Sequence, residues 1–259
     1  MAARYFADDY VRRYWRLPVN VRTPQGATCN ATVSCNRYLM NVRDTDTSNF
    51  ATTIRTMQTG ISTVLSRAQA YSRTRPDLQV RTGPFGRTRV GKGTPDDMEH
   101  VLNTGVACGA LPAVEAQLQN WANQSLGCDC TGFASAYFSY LGAMPIADSV
   151  NAGCGYFRSL AIRNNGAGAL IWDFDAVRRD DVLLWMNEAG TETKRPGHIA
   201  VVYDKRPGEL LIGESSGADD GAGHRGPRLN TKSWGAVTGA RGRRSIKIGE
   251  GVIIVRVKS

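Results

Sequence analysis

The chain has 259 residues, of which 42% are hydrophobic and 21% are charged, and this composition is ordinary for a folded globular protein. Its formal net charge of +9 at pH 7 favours anionic partners such as nucleic acid, membrane surfaces or bacterial cell-wall polymers, although charge also serves solubility alone. Nucleic acid is unlikely on sequence grounds, because no zinc-finger spacing, aromatic-rich RNA-binding signature or basic heptad helix is present. No stretch approaches the ~20 apolar residues that a membrane-spanning helix needs, so we expect no membrane partner.

The N-terminal sequence MAARYFADDYVRRYW has no apolar run followed by a cleavage site of small residues, so it predicts no cleavable secretory signal. We therefore expect a protein that is cytoplasmic in the cell that makes it. Export to the periplasm or cell wall would then use a dedicated secretion system or cell lysis.

One long helix is the clearest element of the first part of the chain. After a mixed, polar stretch over residues 1–47, apolar residues recur at steps of three and four, which predicts an amphipathic helix that Ser48 or Asp46 could cap. Its apolar face consists of Ile54, Met57, Ile61, Val64, Leu65, Ala68 and Tyr71. Residues 73–97 are rich in glycine, proline and arginine, which predicts a basic loop or linker whose arginines could contact an anionic substrate.

The second half of the chain changes from helical to strand-like patterns. A helix is predicted from Pro112 to Gly127, and a shorter one begins near Cys130. Strand-like runs follow at 182–186, 199–203, 210–214 and 252–257. A helix followed by antiparallel strands predicts an α+β domain. We place this domain at residues 111–259, preceded by a largely helical and looped N-terminal extension, residues 1–110, of unassigned role.

Cys130 is the candidate nucleophile. It lies in the segment GCDCTGF, residues 127–133, where Asp129 is a natural N-cap that places Cys130 in the first helical turn. Backbone N–H groups and the positive end of the helix dipole stabilise a thiolate there, and the same groups can form part of an oxyanion hole. Thr131 and Gly132 are small and leave room for a substrate carbonyl. The alternative is a buried structural cysteine.

The other cysteines give weaker signals. Cys128 precedes the proposed cap, so it gains less from the helix end. Cys29 and Cys35 could close a short loop as a disulfide in an oxidising compartment. No metal site or cofactor is predicted, because there are only three histidines and Cys128 and Cys130 lie too close together for a zinc knuckle.

His198 is the candidate base, at the start of the apolar strand GHIAVVY, residues 197–203. If residues 204–208 form a five-residue hairpin loop, His198 lies opposite Glu214, with Cβ atoms about 5 Å apart. A carboxylate in that place fixes the imidazole tautomer and stabilises the imidazolium. A loop longer by one residue brings Ser215 opposite instead, so Ser215 is the alternative orienting group.

The two remaining histidines are poorer candidates. His100 lies in a polar helical segment before the cysteine motif, and His224 lies in a glycine-rich loop, residues 217–226, that is typical of a flexible segment.

These motifs resemble those of the papain-like cysteine peptidases and amidases of the NlpC type and the related CHAP type. The segment DCTGF, residues 129–133, is similar to the Asp-Cys-Ser/Thr-Gly-Phe motif that begins the catalytic helix of that superfamily. The segment GHIAV, residues 197–201, is similar to its histidine strand. Glu214 matches the glutamate that is the third catalytic residue of CHAP enzymes.

The sequence departs from the superfamily pattern at two places. The segment DDVLLW, residues 180–185, looks like the Gly-Asp-Leu-like strand before the histidine, with Asp180 in place of the glycine. The asparagine that often follows the catalytic glutamate is absent, and Ser215 and Ser216 stand there instead.

The resemblance implies a papain-like fold with a catalytic helix packed on an antiparallel sheet and a triad of Cys130, His198 and Glu214. Asp129 and Thr131 would shape the helix start and the oxyanion site, without metal or cofactor. The implied reaction is cleavage of amide bonds in peptidoglycan, an anionic polymer that suits a basic chain. The biological role would be that of an antibacterial effector, with a cognate immunity protein as a partner, or that of a phage lysin.

Two other functions stay open from the sequence. The same three residues could cleave or deamidate a host protein, and activity on protein with none on cell wall would favour that function. A decayed papain-like fold could also serve as a non-catalytic basic binding module. An unreactive Cys130 with intact affinity for an anionic polymer would favour the binding module.

Overall fold

The fold is a mixture of helices and antiparallel sheets, which confirms the α+β class. The computed structural model describes residues 6–40, 48–187, 189–193, 197–218, 225–233, 235–238, 244–247 and 251–257. Its helices are α1 (Ala7–Tyr14), α2 (Asn49–Ser72), α3 (Thr82–Arg89), α4 (Pro95–Ala107), α5 (Glu115–Ser125), α6 (Cys130–Tyr140) and α7 (Cys154–Asn165). Its strands are β1 (Leu17–Arg22), β2 (Thr28–Val33), β3 (Leu170–Ile171), β4 (Asp181–Leu184), β5 (Ile199–Arg206), β6 (Glu209–Ser216), β7 (Gly226–Ser233), β8 (Gly235–Thr238), β9 (Arg244–Lys247) and β10 (Ile253–Arg256). Within these residues, no helix is both long enough and apolar enough to cross a bilayer.

The chain forms two compact units. The helical unit comprises Arg12–Gly132 and Ser216–Pro227, and the sheet unit comprises Met1–Val11, Phe133–Ser215 and Arg228–Ser259. The boundary falls inside α6. This division rests on compactness alone, and the functional boundary at residue 110 stays a prediction.

The long helix predicted in the helical unit is confirmed as α2. Ser48 is its N-cap, because Ser48 Oγ accepts a hydrogen bond from the backbone N–H of Ala51 at 3.1 Å; the alternative cap, Asp46, lies outside the described residues. Most of the predicted apolar face is buried, whereas Leu65 and Tyr71 are half-buried. The buried residues of α2 are Ala51, Ile54, Met57, Ile61, Val64 and Ala68.

The basic stretch after α2 is not the continuous loop that its composition predicts. It contains α3, which is too short for a helical pattern to show but buries Phe85 and Pro84. A capping box between Thr94 and Asp97 then begins α4. The next helix, α5, begins at Glu115 rather than at Pro112.

The polar N-terminal stretch also contains elements that the sequence did not indicate. β1 and β2 form an antiparallel pair, in which Leu17 faces Val33 and Val19 faces Ala31. Only a few buried residues alternate with exposed polar ones, so the strand period is too weak to recognise in the sequence.

The sheet unit is built on a six-stranded sheet with the order β3-β10-β4-β5-β6-β7. The four predicted strands correspond to β4, β5, β6 and β10, and the pairs from β3 to β6 in this order are antiparallel. The part of α6 that belongs to this unit packs on β6, because a Cβ at Gly213 would lie 3.1 Å from the ring of Phe133. One buried cluster of the sheet consists of Ile171, Val177, Leu183, Ala200, Val202, Leu210, Ile212, Val252 and Ile254.

Candidate functional site

Asp129 caps the N-terminus of α6, as the sequence predicts. Its Oδ1 accepts a hydrogen bond from the backbone N–H of Gly132 at 2.6 Å and another from Thr131 Oγ1 at 2.9 Å. Cys130 is therefore the first helical residue, and it is 4% exposed. The positive end of the helix dipole favours negative charge on a sulfur in this position.

A buried lysine neutralises the capping carboxylate. Lys92 Nζ donates hydrogen bonds to Asp129 Oδ1 at 2.8 Å and Oδ2 at 2.7 Å, and it also donates to Thr131 Oγ1. The side chains of Lys92 and Asp129 are each 8% exposed. The two opposite charges therefore compensate each other at the buried start of α6.

The loop that carries Lys92 approaches the start of α6 closely. Gly91 O accepts a hydrogen bond from the backbone N–H of Asp129 at 3.0 Å. Gly91 has a φ of +74°, and a Cβ there would lie 1.8 Å from Leu39 O. A Cβ on Gly132 would lie 2.1 Å from Gly91 O. The glycine of the DCTGF segment is therefore needed for packing.

We expect the Gly91→Ala variant to lose at least about 3 kcal/mol of unfolding free energy, because the new Cβ overlaps the Leu39 carbonyl and forces the loop away from Asp129. Gly142→Ala is the matched control: Gly142 has a φ of +70°, but no atom lies within 4 Å of its Cβ position. The control should lose about 1 kcal/mol for the left-handed backbone alone. Denaturant unfolding measures both, and equal losses would show that the close approach is not structurally important.

Tyr38 forms a side-chain hydrogen bond with Cys130. Burial, and then the proximity of Cys130 and Asp129, raises the pKa of the Tyr38 hydroxyl. The hydroxyl therefore keeps its proton and can donate a hydrogen bond to a charged sulfur. No sequence motif pointed to Tyr38.

Cys128 has a different environment from Cys130. Its thiol is buried and lies 3.8 Å from Tyr14 Oη, and burial, followed by the charge of Asp129, raises the pKa of Cys128 well above its usual value. Burial also raises the pKa of Cys35 to about 12. Cys29 and Cys35 are free thiols in the structure, and Cys29 donates to Ala113 O at 3.2 Å.

His198 is held immediately before β5. Its carbonyl oxygen accepts hydrogen bonds from Trp185 N at 3.0 Å and from Cys154 Sγ at 3.4 Å. Its ring packs edge-on against Trp185, with the ring centroids 4.6 Å apart and an interplanar angle of 68°. The His198 side chain remains 17% exposed, so the ring is oriented without being closed off.

Glu214 on β6 is the hydrogen-bond partner of His198. His198 Nε2 lies 2.7 Å from Glu214 Oε2. The other oxygen, Oε1, accepts hydrogen bonds from Arg228 Nε at 3.0 Å and Asn230 Nδ2 at 2.8 Å. Because Nε2 faces the carboxylate, the neutral ring carries its hydrogen on Nε2, and Nδ1 is the basic nitrogen.

The charge of Glu214 is stabilised although the residue is buried. Burial would raise the pKa of Glu214, but hydrogen bonding and attraction to His198, with smaller effects of Asn230 and Lys232, lower it to about 2. A buried carboxyl group with a pKa this low is ionised throughout the neutral range, as an orienting carboxylate must be.

This shift predicts a pH-dependent contribution to stability. A carboxyl group with a pKa depressed from 4.5 to about 2 contributes stability that is complete above pH 4.5 and is lost as the pH falls toward 2, by about 3 kcal/mol. We expect the unfolding free energy of the parent chain to fall more steeply over this range than that of Glu214→Gln, which lacks the titrating group. Denaturant unfolding at a series of pH values measures the two slopes, and parallel curves would contradict the prediction.

The structure brings Glu214 to His198 through a register that differs from the predicted one. The turn is shorter than predicted, with β5 ending at Arg206 and β6 beginning at Glu209, and the register shifts between Val202 and Asp204. Ala200 therefore pairs with Glu214, not with Ile212. The error is two residues, so Glu214 stays on the predicted face and its side chain reaches diagonally to His198. Ser215 points to the opposite face.

Arg228 and Asn230 were missed in the sequence because β7 was not predicted. They are two residues apart on β7, so their side chains point to the same side of the strand. Both donate hydrogen bonds to Glu214 Oε1. The motif that the segment around Glu214 resembles often has an asparagine directly after the glutamate, and this chain has none there. Asn230, on the neighbouring strand, donates an amide hydrogen bond to Glu214. The sequence feature that could have indicated them is the segment RLN, residues 228–230, in which two polar side chains are separated by one apolar residue, as in a strand. His224 lies outside the described residues.

Asp180 has a backbone conformation in which glycine is more usual. It is the single non-glycine residue with a positive φ, +70°, in the described part of the chain. Aspartate tolerates this left-handed conformation better than most residues, and it stands where the pattern has glycine. Tyr137 Oη also donates to Asp180 Oδ1 at 2.5 Å.

Cys130 lies in the helical unit, and His198 and Glu214 lie in the sheet unit. The His198–Glu214 contact is therefore a structural finding, whereas the action of Cys130 with His198 stays a prediction.

Among the described residues, no group of three or more His, Cys, Asp or Glu side chains could hold a metal ion. Comparisons of this chain with protein-family models, curated proteins and solved structures found no match.

Proposed function

We propose that the protein is a cysteine-dependent amide hydrolase with a papain-like fold, similar to NlpC and CHAP enzymes. The observation that carries the proposal is the hydrogen bond of 2.7 Å between His198 Nε2 and Glu214 Oε2, within a carboxylate site anchored by Arg228 and Asn230. A buried carboxylate that orients an imidazole is the arrangement of a base in nucleophilic catalysis. The capped helix start at Cys130 supports the assignment of the nucleophile.

In the proposed mechanism, His198 Nδ1 takes the proton of the Cys130 thiol, and the sulfur attacks the amide carbonyl carbon. The tetrahedral intermediate collapses to a thioester as the imidazolium gives its proton to the leaving amine. Water then attacks the thioester, with His198 accepting one of its protons. The proton returns to sulfur as the carboxylic acid leaves, so the free thiol is regenerated.

Backbone N–H groups at the start of α6 are the proposed oxyanion donors. The N–H of Gly132 is already bonded to Asp129, so we assign the role to the N–H groups of Cys130 and Thr131. The Thr131 side chain bonds to Lys92 and Asp129 and helps to fix this turn. Tyr38 is a further donor beside the sulfur.

We propose peptidoglycan as the substrate. The net charge of +9 favours an anionic polymer, and the motifs around Cys130 and His198 resemble those of enzymes that cleave its peptide and sugar–peptide amide bonds. A role as an antibacterial effector or as a phage lysin would follow from this activity.

The test compares the parent chain, Cys130→Ala and Cys128→Ala on purified peptidoglycan, with the released fragments analysed by mass spectrometry. We expect the parent and Cys128→Ala to release the same amide-cleavage products and Cys130→Ala to release none, because the alanine has no nucleophile. Equal products from the parent and Cys130→Ala would remove Cys130 from the mechanism. No products from any of the three would contradict the choice of peptidoglycan and leave a protein substrate as the alternative.

A further inference from the structure

A strongly basic segment of the chain lies in the helical unit. Residues 48–94 contain eight basic residues and one acidic residue, which is a net charge of +7; the other strongly basic segment, residues 225–259, has nine basic residues and one acidic residue. Three of these basic residues form ion pairs with Asp77, Asp97 and Asp129. The other five basic residues of the segment are all arginines.

Three of those arginines line one groove, of about 490 Å³, along α2. Arg55 and Arg67 lie twelve residues apart on α2, which is about 18 Å along the helix axis, and Arg89 enters from the end of α3. Between them, the floor is formed by Gln58 and by the hydroxyl residues Thr59, Ser62, Thr63 and Ser66. None of the described residues that line the groove is acidic or aromatic.

This face of α2 is a continuous stripe rather than a scatter of polar residues. Its lining residues recur at steps of three and four, which places them on one side of the helix, away from the buried side that includes Ile54, Ile61 and Val64. The four hydroxyl groups donate to backbone carbonyls one turn earlier. Their oxygens therefore remain able to accept hydrogen bonds from a ligand.

Gln58, which lines the groove, has an amide donor without a partner in the described part of the chain. This donor atom, Nε2, is buried. A buried donor without a partner costs stability, so its position in a groove lined by arginines indicates a ligand that accepts hydrogen bonds.

We propose that this arginine groove, formed by α2 and the end of α3, binds an acidic glycan strand. The arginines would pair with carboxylates, which peptidoglycan carries on the stem peptides attached to its glycan strand. The Gln58 amide would donate to a ligand oxygen, and the Ser and Thr oxygens would accept from sugar hydroxyls. Single-stranded nucleic acid fits less well, because the lining offers no aromatic side chain on which a base could stack. Binding does not require hydrolysis, but the choice of peptidoglycan as the glycan rests on the proposed function.

The test measures binding to purified peptidoglycan sacculi by co-sedimentation, using the full chain with Cys130→Ala so that binding is read without cleavage. In this background, the triple variant Arg55→Gln, Arg67→Gln, Arg89→Gln should bind roughly tenfold more weakly. The control triple, Arg16→Gln, Arg22→Gln, Arg225→Gln, removes the same charge from exposed residues of the same unit that lie outside α2 and α3. It should weaken binding by less than about twofold.

A fourth variant separates a specific site from general charge. Gln58→Met removes the amide donor without changing the charge, so binding should weaken about threefold while the melting temperature stays the same or rises. Equal losses in the two arginine triples, or no loss in the groove triple, would overturn the site. Binding of a single-stranded DNA oligonucleotide that is as tight as sacculi binding and as sensitive to the groove triple would overturn the glycan. Hydrolysis that fails while groove-dependent binding persists would overturn the proposed function alone.

Discussion

The Glu214→Gln variant is expected to hydrolyse its amide substrate about 10³-fold more slowly than the parent chain, with KM little changed. In the parent, the carboxylate faces His198 Nε2 at 2.7 Å, which keeps the hydrogen on Nε2 and the lone pair on Nδ1. A glutamine can present its NH₂ group to Nε2, which reverses the tautomer, and its neutral amide does not stabilise an imidazolium. Rates of amine release from peptidoglycan measure the effect on kcat.

Asp181→Asn is the matched control for this variant. Asp181 is also a buried carboxylate in the same sheet, paired with Arg256 at 2.8 Å, but it has no contact with His198 in the proposed mechanism. Its kcat should stay within about twofold of the parent when both are fully folded. The ¹⁵N chemical shifts of His198 should report the Nε2–H tautomer in the parent and in Asp181→Asn, and a change in Glu214→Gln. Equal loss of kcat in both variants, with an unchanged tautomer, would reduce Glu214 to a structural residue.

The contact between His198 and Glu214 shows what a strand pattern can and cannot predict. Alternation along β5 and β6 fixes which face each side chain takes, because the side-chain period of a strand is two. It does not fix how the strands slide, since that depends on the turn at Pro207 and Gly208 and on the irregularity after Val202. The predicted register is wrong by two residues, yet the side chains meet because an even slip preserves the face.

The N-cap of α6 could be predicted from the sequence because it depends only on neighbouring residues. An N-cap acts within three residues of sequence, so Asp129 could be assigned to the N–H of Gly132 without any tertiary information. The partners of that cap could not be assigned. Lys92, which bonds to Asp129, lies 37 residues before it, and Tyr38 lies 92 residues before its partner Cys130. No pattern in a single sequence connects such distant residues.

Composition misled where an element had too few apolar residues to show a pattern. The segment that contains α3 is dense in glycine and arginine, and its buried residues, such as Phe85, are too few to reveal a helical period. β7 follows a glycine-rich stretch and consists mostly of polar residues, so it lacks the apolar pattern of a core strand. Its residues Arg228 and Asn230 are nevertheless the ones that anchor Glu214, because a buried carboxylate needs polar partners on an adjacent strand.

The Lys92→Met variant is expected to lose about 3–5 kcal/mol of unfolding free energy, because it leaves the buried Asp129 carboxylate without its counter-charge. The same change should slow alkylation of Cys130 by iodoacetamide about tenfold at neutral pH, since an uncompensated negative charge beside the sulfur disfavours the thiolate. Denaturant unfolding measures the first effect. Alkylation followed by peptide mapping measures the second at Cys130 separately from the other five cysteines.

The double variant Lys92→Met, Asp129→Asn distinguishes charge from packing. Asparagine is as good an N-cap as aspartate, so this variant keeps the cap and removes both charges. If Lys92 acts by neutralising Asp129, the double variant should be more stable than Lys92→Met and should recover most of the alkylation rate. Arg75→Met breaks the exposed ion pair with Asp77 and should change neither quantity measurably. Slow alkylation that persists in the double variant would mean that Lys92 positions the loop under α6 rather than tuning the charge of the sulfur.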